Sequence, residues 1–183
     1  MQNDHPSTDI TKIIERTFAW LDKVVIAENF CPFAKAVREQ NRIHISVQQQ
    51  SDISSLLRQV VSECENLLAH ERIETSLLIY TNSLKDFDDY LDFLDMANEL
   101  IASAGFEGKL QLASFHPNYV FEGAPEDCAS HYTNRSPYPM LHILREDSIT
   151  KALEGFSKPE NIPTRNIEHA KSLGAGFFLK LLS

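Results

Sequence analysis

A chain of 183 residues with 43% hydrophobic and 23% charged side chains has the composition of an ordinary globular domain and enough apolar material for one sizeable core. Its formal net charge of −9, with 17 basic residues dispersed singly or nearly so, argues against a nucleic-acid partner, because binding a polyanion takes clustered Lys and Arg. No apolar run approaches the roughly 20 residues of a membrane-spanning helix, and the opening Met-Gln-Asn-Asp-His-Pro lacks the basic patch and apolar stretch of a secretion signal, so the expected location is the cytoplasm.

Residues 1–7 are polar and expected to be frayed, and Ser7, Thr8 and Asp9 are candidate caps for a first helix. Ile10, Ile13, Ile14, Phe18, Leu21 and Val25 form one apolar stripe along it. The helix should bend near Asn29–Pro32, where proline removes a backbone donor, and restart through Phe33–Glu39. Ile43, Ile45 and Val47 alternate with His44 and Ser46, the pattern of a strand toward a sheet edge.

Ser51 or Asp52 caps a second helix carrying Ile53, Leu56, Leu57, Val60, Val61, Cys64, Leu67 and Leu68 at helical spacing. Leu77–Tyr80 is apolar on both faces and reads as a strand covered from both sides. A third helix spans Phe87–Ala104, with Tyr90, Leu91, Leu94, Ala97, Leu100 and Ile101 turned inward, and stops at Gly105. Its Asp86, Asp88, Asp89, Asp92 and Asp95 are read mostly as a solvated face.

Strand three is Leu110–Phe115, and a fourth, Met140–Leu144, arrives without a clear helix before it. Right-handed crossovers make the first three strands parallel (βαβαβ), and the fourth is expected as an antiparallel return. Helices near Ser148–Phe156 and Asn166–Leu173 follow, and the tail from Gly174 docks an apolar turn on the core. The prediction is one α/β domain over residues 1–183, a sheet of about four strands with helices packed on it.

Between strands three and four lies a loop, residues 116–139, of roughly two dozen residues, whereas connections in compact domains usually take about four to six. Four of the chain's eight prolines fall there, with Tyr119, Phe121, Tyr132 and Tyr138, so the segment has both stiffness and material to pack and should be ordered. Ligands of open α/β sheets sit beyond the carboxyl ends of the strands. His116 lies at such an exit, and an antiparallel fourth strand would bring Asn134, Arg135, Ser136 and Tyr138 beside it. The Thr81-Asn82-Ser83 segment should approach the same place.

Phe30-Cys31-Pro32-Phe33, Ser114-Phe115-His116-Pro117, Asn134-Arg135-Ser136-Pro137-Tyr138-Pro139 and Ile162-Pro163-Thr164-Arg165-Asn166 resemble the motifs of a bacterial family known only as a domain of unknown function. The resemblance covers nearly the whole chain and implies no activity, substrate or cofactor.

Read from the residues themselves, the candidate catalytic groups are His116, Arg135 and Cys31. Imidazole titrates near neutrality and can move a proton, and guanidinium pairs bidentately with an anionic substrate group. Cys31, if it caps the restarted helix, has its thiol activated by the helix dipole. Asn118, Asn134, Ser136 and Tyr138 are candidate substrate-binding groups. Four of these have a bland reading beside the functional one: Cys31 as a small buried hydrophobe, His116 as a strand-end cap, Arg135 as a tie to Glu122, Glu126 or Asp127, Tyr138 as packing.

The function expected on the first set of readings is a small-molecule enzyme with an anionic substrate. A noncatalytic module docking a protein through the aromatic, proline-rich loop is the alternative. Metal binding through His116, Cys128 and His131 is a third and weaker reading, since a structural zinc site needs a fourth ligand. Cys31, Cys64 and Cys128 form an odd set without repeating spacing and are expected as free thiols in a reducing compartment. His142, inside an apolar strand, is expected as a hydrogen-bonded core group.

Overall fold

The computed structural model describes residues 9–182. It contains one sheet of four strands, β1 (Ile43–Gln48), β2 (Thr75–Tyr80), β3 (Leu110–Phe115) and β4 (Met140–Arg145), in the order β1-β2-β4-β3. β1 and β2 pair in parallel, and β4 runs antiparallel to both β2 and β3. The first three strands thus point the same way, as the strand-helix alternation predicts, and the return strand is antiparallel. It is inserted between β2 and β3, however, so the parallel pairing is confined to β1 and β2.

Side-chain chemistry explains the order. Leu77, Leu78, Ile79 and Tyr80 of β2 and Met140, Leu141 and Ile143 of β4 are buried on both faces of the sheet. Strands apolar on both faces belong in the middle, whereas β1, with His44 and Ser46, and β3, with Gln111 and Ser114, tolerate the edges.

The helices form a layer on each face. On one, α3 (Ile53–Ala69) and α4 (Phe87–Ser103) bury Leu56, Val60, Cys64, Tyr90, Phe93 and Ala97 against Leu78, Tyr80, Leu141 and Ile143. On the other, α1 (Ile10–Trp20), α6 (Ile162–Leu173) and α7 (Ala175–Leu182) contribute Ile13, Trp20, Ala170 and Phe178 against Leu77, Ile79 and Met140. α2 (Ala34–Glu39) and α5 (Glu146–Leu153) are short. No helix among the described residues is long and apolar enough to cross a membrane.

Caps fix the helix starts. Asp9 accepts from Lys12 N–H at 3.4 Å, Asp52 from Ser55 N–H at 2.8 Å and Asp86 from Asp88 and Asp89 N–H at 2.9 and 3.2 Å, each satisfying amides that have no partner inside the helix. Ser7 and Thr8, and the expected fraying of residues 1–7, lie outside the described residues. α6 begins four residues earlier than expected, with Pro163 in its first turn, where the missing N–H costs nothing. The expected apolar turn of the tail is α7, whose Phe178 is fully buried and stacks on Tyr132 at 4.8 Å.

Two local details differ from the expectation: the helical spacing of Tyr90, Phe93, Ala97 and Ile101 does place Phe93 inward, and the first helix changes its winding in a way that periodicity does not encode. The inward stripe of α4 includes Phe93, fully buried, and leaves Leu91 36% exposed. After Trp20 the first helix widens into a π-helical segment, Leu21–Ile26, which keeps Leu21, Val24 and Val25 buried.

Candidate functional site

The 116–139 loop is ordered by two histidines used in the same way. His116, fully buried, donates from Nε2 to Leu84 O at 3.0 Å and accepts Asn118 N–H on Nδ1 at 3.0 Å. His131, also fully buried, accepts Phe121 N–H on Nδ1 at 3.1 Å and donates from Nε2 to Pro125 O at 2.7 Å. Each ring fits one donor and one acceptor and so is a neutral imidazole. Burial pushes the His116 pKa below its ordinary value, consistent with that form. Leu84 is a bulky residue with φ of 56°, a left-handed conformation that costs about 1–2 kcal/mol, and the His116 bond helps hold it there. The residue after β2 that meets His116 is Leu84, one position beyond the expected Thr81-Asn82-Ser83, of which Thr81 and Asn82 bond instead to Gln48 O and Gln49 O.

The two ends of the loop meet at one rim, with His116 N–H donating to Asn134 O at 3.2 Å. Their side chains then diverge. The His116 ring lies against Phe87 and Tyr90 of α4, whereas the Arg135 guanidinium sits 4.9 Å from the ring of Tyr132, part of the opposite core. Arg135 Nε donates to Tyr119 O at 3.1 Å and Nη2 reaches Glu126 O at 3.5 Å; its tie is to carbonyls of the loop, not to Glu122, Glu126 or Asp127 carboxylates. Ser136 Oγ donates to Tyr138 O at 2.7 Å, the Tyr138 ring lies under Arg16 at 5.8 Å, and exposed Asn118 uses its backbone on His116.

No three His, Cys, Asp or Glu side chains among the described residues form a group able to hold a metal ion. The rings of His116 and His131 are occupied by backbone groups, and Cys128 Sγ lies 3.0 Å from Ser130 Oγ. That hydroxyl and the Ser130 amide hold the Cys128 thiol below its ordinary pKa. The His116, Cys128 and His131 set is therefore not assembled as ligands.

What the fold does assemble is a cleft of about 280 Å³ at the end of the sheet, on the α1/α6 side. Val25 of the π-helical segment, Phe30, Cys31, Phe115, Phe121, Thr133, Asn134, Ile162, Pro163, Asn166 and Ile167 line it. Each of the four segments singled out in the sequence contributes: Phe30 and Cys31, Phe115, Asn134, and Ile162, Pro163 and Asn166. Cys31 thus reaches the loop. Asn134 Nδ2 donates to Ser114 O at 3.1 Å and its Oδ1 accepts from Thr133 Oγ1 at 3.0 Å, which fixes the amide at the wall. Trp20 backs the same wall, edge-on to Phe115 at 5.2 Å with its indole N–H on Arg135 O at 2.9 Å.

The opposite wall is tied residue by residue. Glu28, Asn29 and Phe30 each take one bond from α6: His169 Nε2 to Glu28 Oε2 at 2.8 Å, Arg165 Nη2 to Asn29 O at 2.7 Å, and Asn166 Nδ2 to Phe30 O at 2.6 Å. Asn29 has φ of 53°, a conformation Asn adopts more readily than most residues. The clamp holds Cys31 at the cleft. The expected capping and activation of Cys31 are not found: Phe33 is the N-cap of α2, and desolvation raises the Cys31 thiol pKa above its usual value, opposed by the Phe33 and Ala34 amides, so the thiol form dominates near neutrality. Sequence reading missed this wall: Arg165 and Asn166 stood in a singled-out segment without a role, His169 was given none, and the π-helical segment left no periodic signal. Irregular helical turns of that kind are frequent at functional sites.

Fold and site together define a three-layer mixed α/β protein with an uncharged cleft at one end of its sheet. The chain belongs to the family described as protein of unknown function (DUF1415), whose model matches residues 12–180. Neither the curated proteins nor the solved structures contain a match to the chain.

Proposed function

We propose that the cleft binds a small, uncharged and largely apolar molecule, with the Cys31 thiol as part of its wall. The observation that carries this reading is the convergence of four sequence-distant segments around one concavity. Its size, about 280 Å³, lies at the lower end for small-molecule pockets and well above an apolar cavity of roughly 150 Å³ that accepts benzene. Phe30, Phe115 and Phe121 supply apolar walls, and Thr133, Asn134 and Asn166 supply polar points for orientation.

An anionic substrate was expected from Arg135, but no charged side chain lines the cleft, which supports an uncharged ligand instead. The loop's aromatic side chains favour this reading over a protein-docking module, because Tyr132 is buried against Phe178 and Phe121 faces the cleft. A cytoplasmic location is part of the same proposal, supported by three cysteines that are all free. Native mass spectrometry of freshly purified protein is the test. The expected result is a retained small-molecule mass that disappears in Ile167→Trp, which fills the cleft, while circular dichroism stays that of the parent. A mass retained by a folded Ile167→Trp protein would place the ligand elsewhere.

A further inference from the structure

The β3 edge of the sheet is open over part of its length. Phe115 and Met140 are register partners, and the Tyr90 hydroxyl lies between them, accepting Phe115 N–H at 3.2 Å and donating to Met140 O at 2.8 Å. Phe115 therefore turns its amide toward β4. By the alternation of an antiparallel ladder Gln111 and Ala113 do the same, while Leu110, Leu112 and Ser114 turn theirs outward. Two outward groups are occupied: Leu110 N–H donates to Phe106 O at 3.0 Å, and Ser114 O accepts from Asn134 Nδ2 at 3.1 Å. Leu110 C=O, Leu112 N–H and C=O, and Ser114 N–H have no hydrogen-bond partner among the described residues. β3 contains neither lysine nor proline, the residues that commonly blunt an exposed edge.

Beside this edge runs a groove of about 330 Å³ in which Ile101, Leu110 and Leu112 are flanked by Glu107 and Glu146. Asp95 and Glu99, exposed on the neighbouring turns of α4, add to the negative field. None of these four carboxylates is in an ion pair among the described residues. Of the nearby cations, Lys109 donates to Gly105 O at 3.3 Å, and Arg145, the register partner of Leu110, donates to Ile73 O and Leu67 O.

We propose that this edge receives an extended, basic segment of a protein partner. It would pair with Leu112 as a fifth strand, set an apolar side chain into the groove and direct Lys or Arg to Glu107 and Glu146. A second copy of the chain is a poorer occupant, because each copy carries a net charge of −9.

The test uses the full chain and two fluorescein-labelled decapeptides of equal charge. One alternates lysine with valine; the other alternates lysine with proline and cannot pair as a strand. The valine peptide is expected to bind about tenfold or more tighter and to shift the backbone amide signals of Leu112 and Ser114. Leu112→Pro, which removes an N–H that the sheet does not use, should abolish the difference between the peptides. The paired changes Glu107→Gln and Glu146→Gln should weaken binding of the valine peptide and decide the matter if the proline variant does not fold. Equal binding of the two peptides, shifts confined to other amides, an unaltered affinity in the glutamine variant, or a dimer of the free chain formed through Leu112 would each overturn the proposal.

Discussion

His116 illustrates how a residue type with many catalytic uses can be fully spent on architecture. Its ring nitrogens bridge Leu84 O and Asn118 N–H, so it joins the segment after β2 to the long loop. Replacement by Ala leaves those two groups unpartnered and opens a cavity, with an expected cost of about 3 kcal/mol in urea unfolding at neutral pH. A loss below roughly 0.5 kcal/mol, the range of an ordinary surface change, would mean that the ring is not holding the backbone. The position of His116 at a strand exit was legible in the sequence. Its bonding was not, because the acceptor, Leu84, lies 32 residues away and owes its accessibility to a left-handed backbone that no spacing announces. Cys31 was legible as a candidate nucleophile, and Asn134 as a binding group, because each sits in a short aromatic or proline-rich segment; that they share a wall depended on the path of the chain.

Among the elements, the helix starts were the easiest to read: Asp9 and Asp52 stand among the cap candidates and Phe87 is the expected start of α4, although Asp86, its cap, reads from the sequence with the solvated face. The centre of the sheet was half legible: the two-faced apolarity of Leu77–Tyr80 announced an inner strand, and the same property in Met140, Leu141 and Ile143 signals the inner position of β4. The contact between α6 and residues 28–30 joins parts of the chain separated by 136 to 141 positions and has no local signature. Its mechanical role is testable. Asn166→Ala removes the bond to Phe30 O and is expected to cost about 1–2 kcal/mol. It should also raise the alkylation rate of Cys31 by iodoacetamide several-fold, read by peptide mapping, as the turn loosens and water reaches the thiol. An unchanged rate at Cys31 would show that the clamp does not govern access to the cleft.

At the scale of the whole molecule, a half-buried histidine couples stability to pH. His142 donates from Nε2 to Thr75 Oγ1 at 2.6 Å, while that hydroxyl donates to Ile143 O, and burial lowers the ring's pKa to about 4. In the unfolded chain it titrates near 6.5. As pH falls through that value the unfolded form takes up a proton that the native form refuses, so stability is full above about 6.5 and declines toward about 4. Between pH 7.5 and 5 this single group removes about 2 kcal/mol, and the depressed pKa of His116 acts in the same sense. His142→Leu should therefore lose about 2 kcal/mol less than the parent over that interval, compared by urea unfolding at both ends. Equal losses would mean that the ring is protonated in the native protein.

The insertion of β4 between β2 and β3 also orders events in time. During synthesis β3 emerges with no strand beside it, because its sole neighbour in the sheet is made thirty residues later. The first two strands have each other as partners once both are made, whereas the third has no partner in the sheet until Met140–Arg145 is made and lies between it and β2.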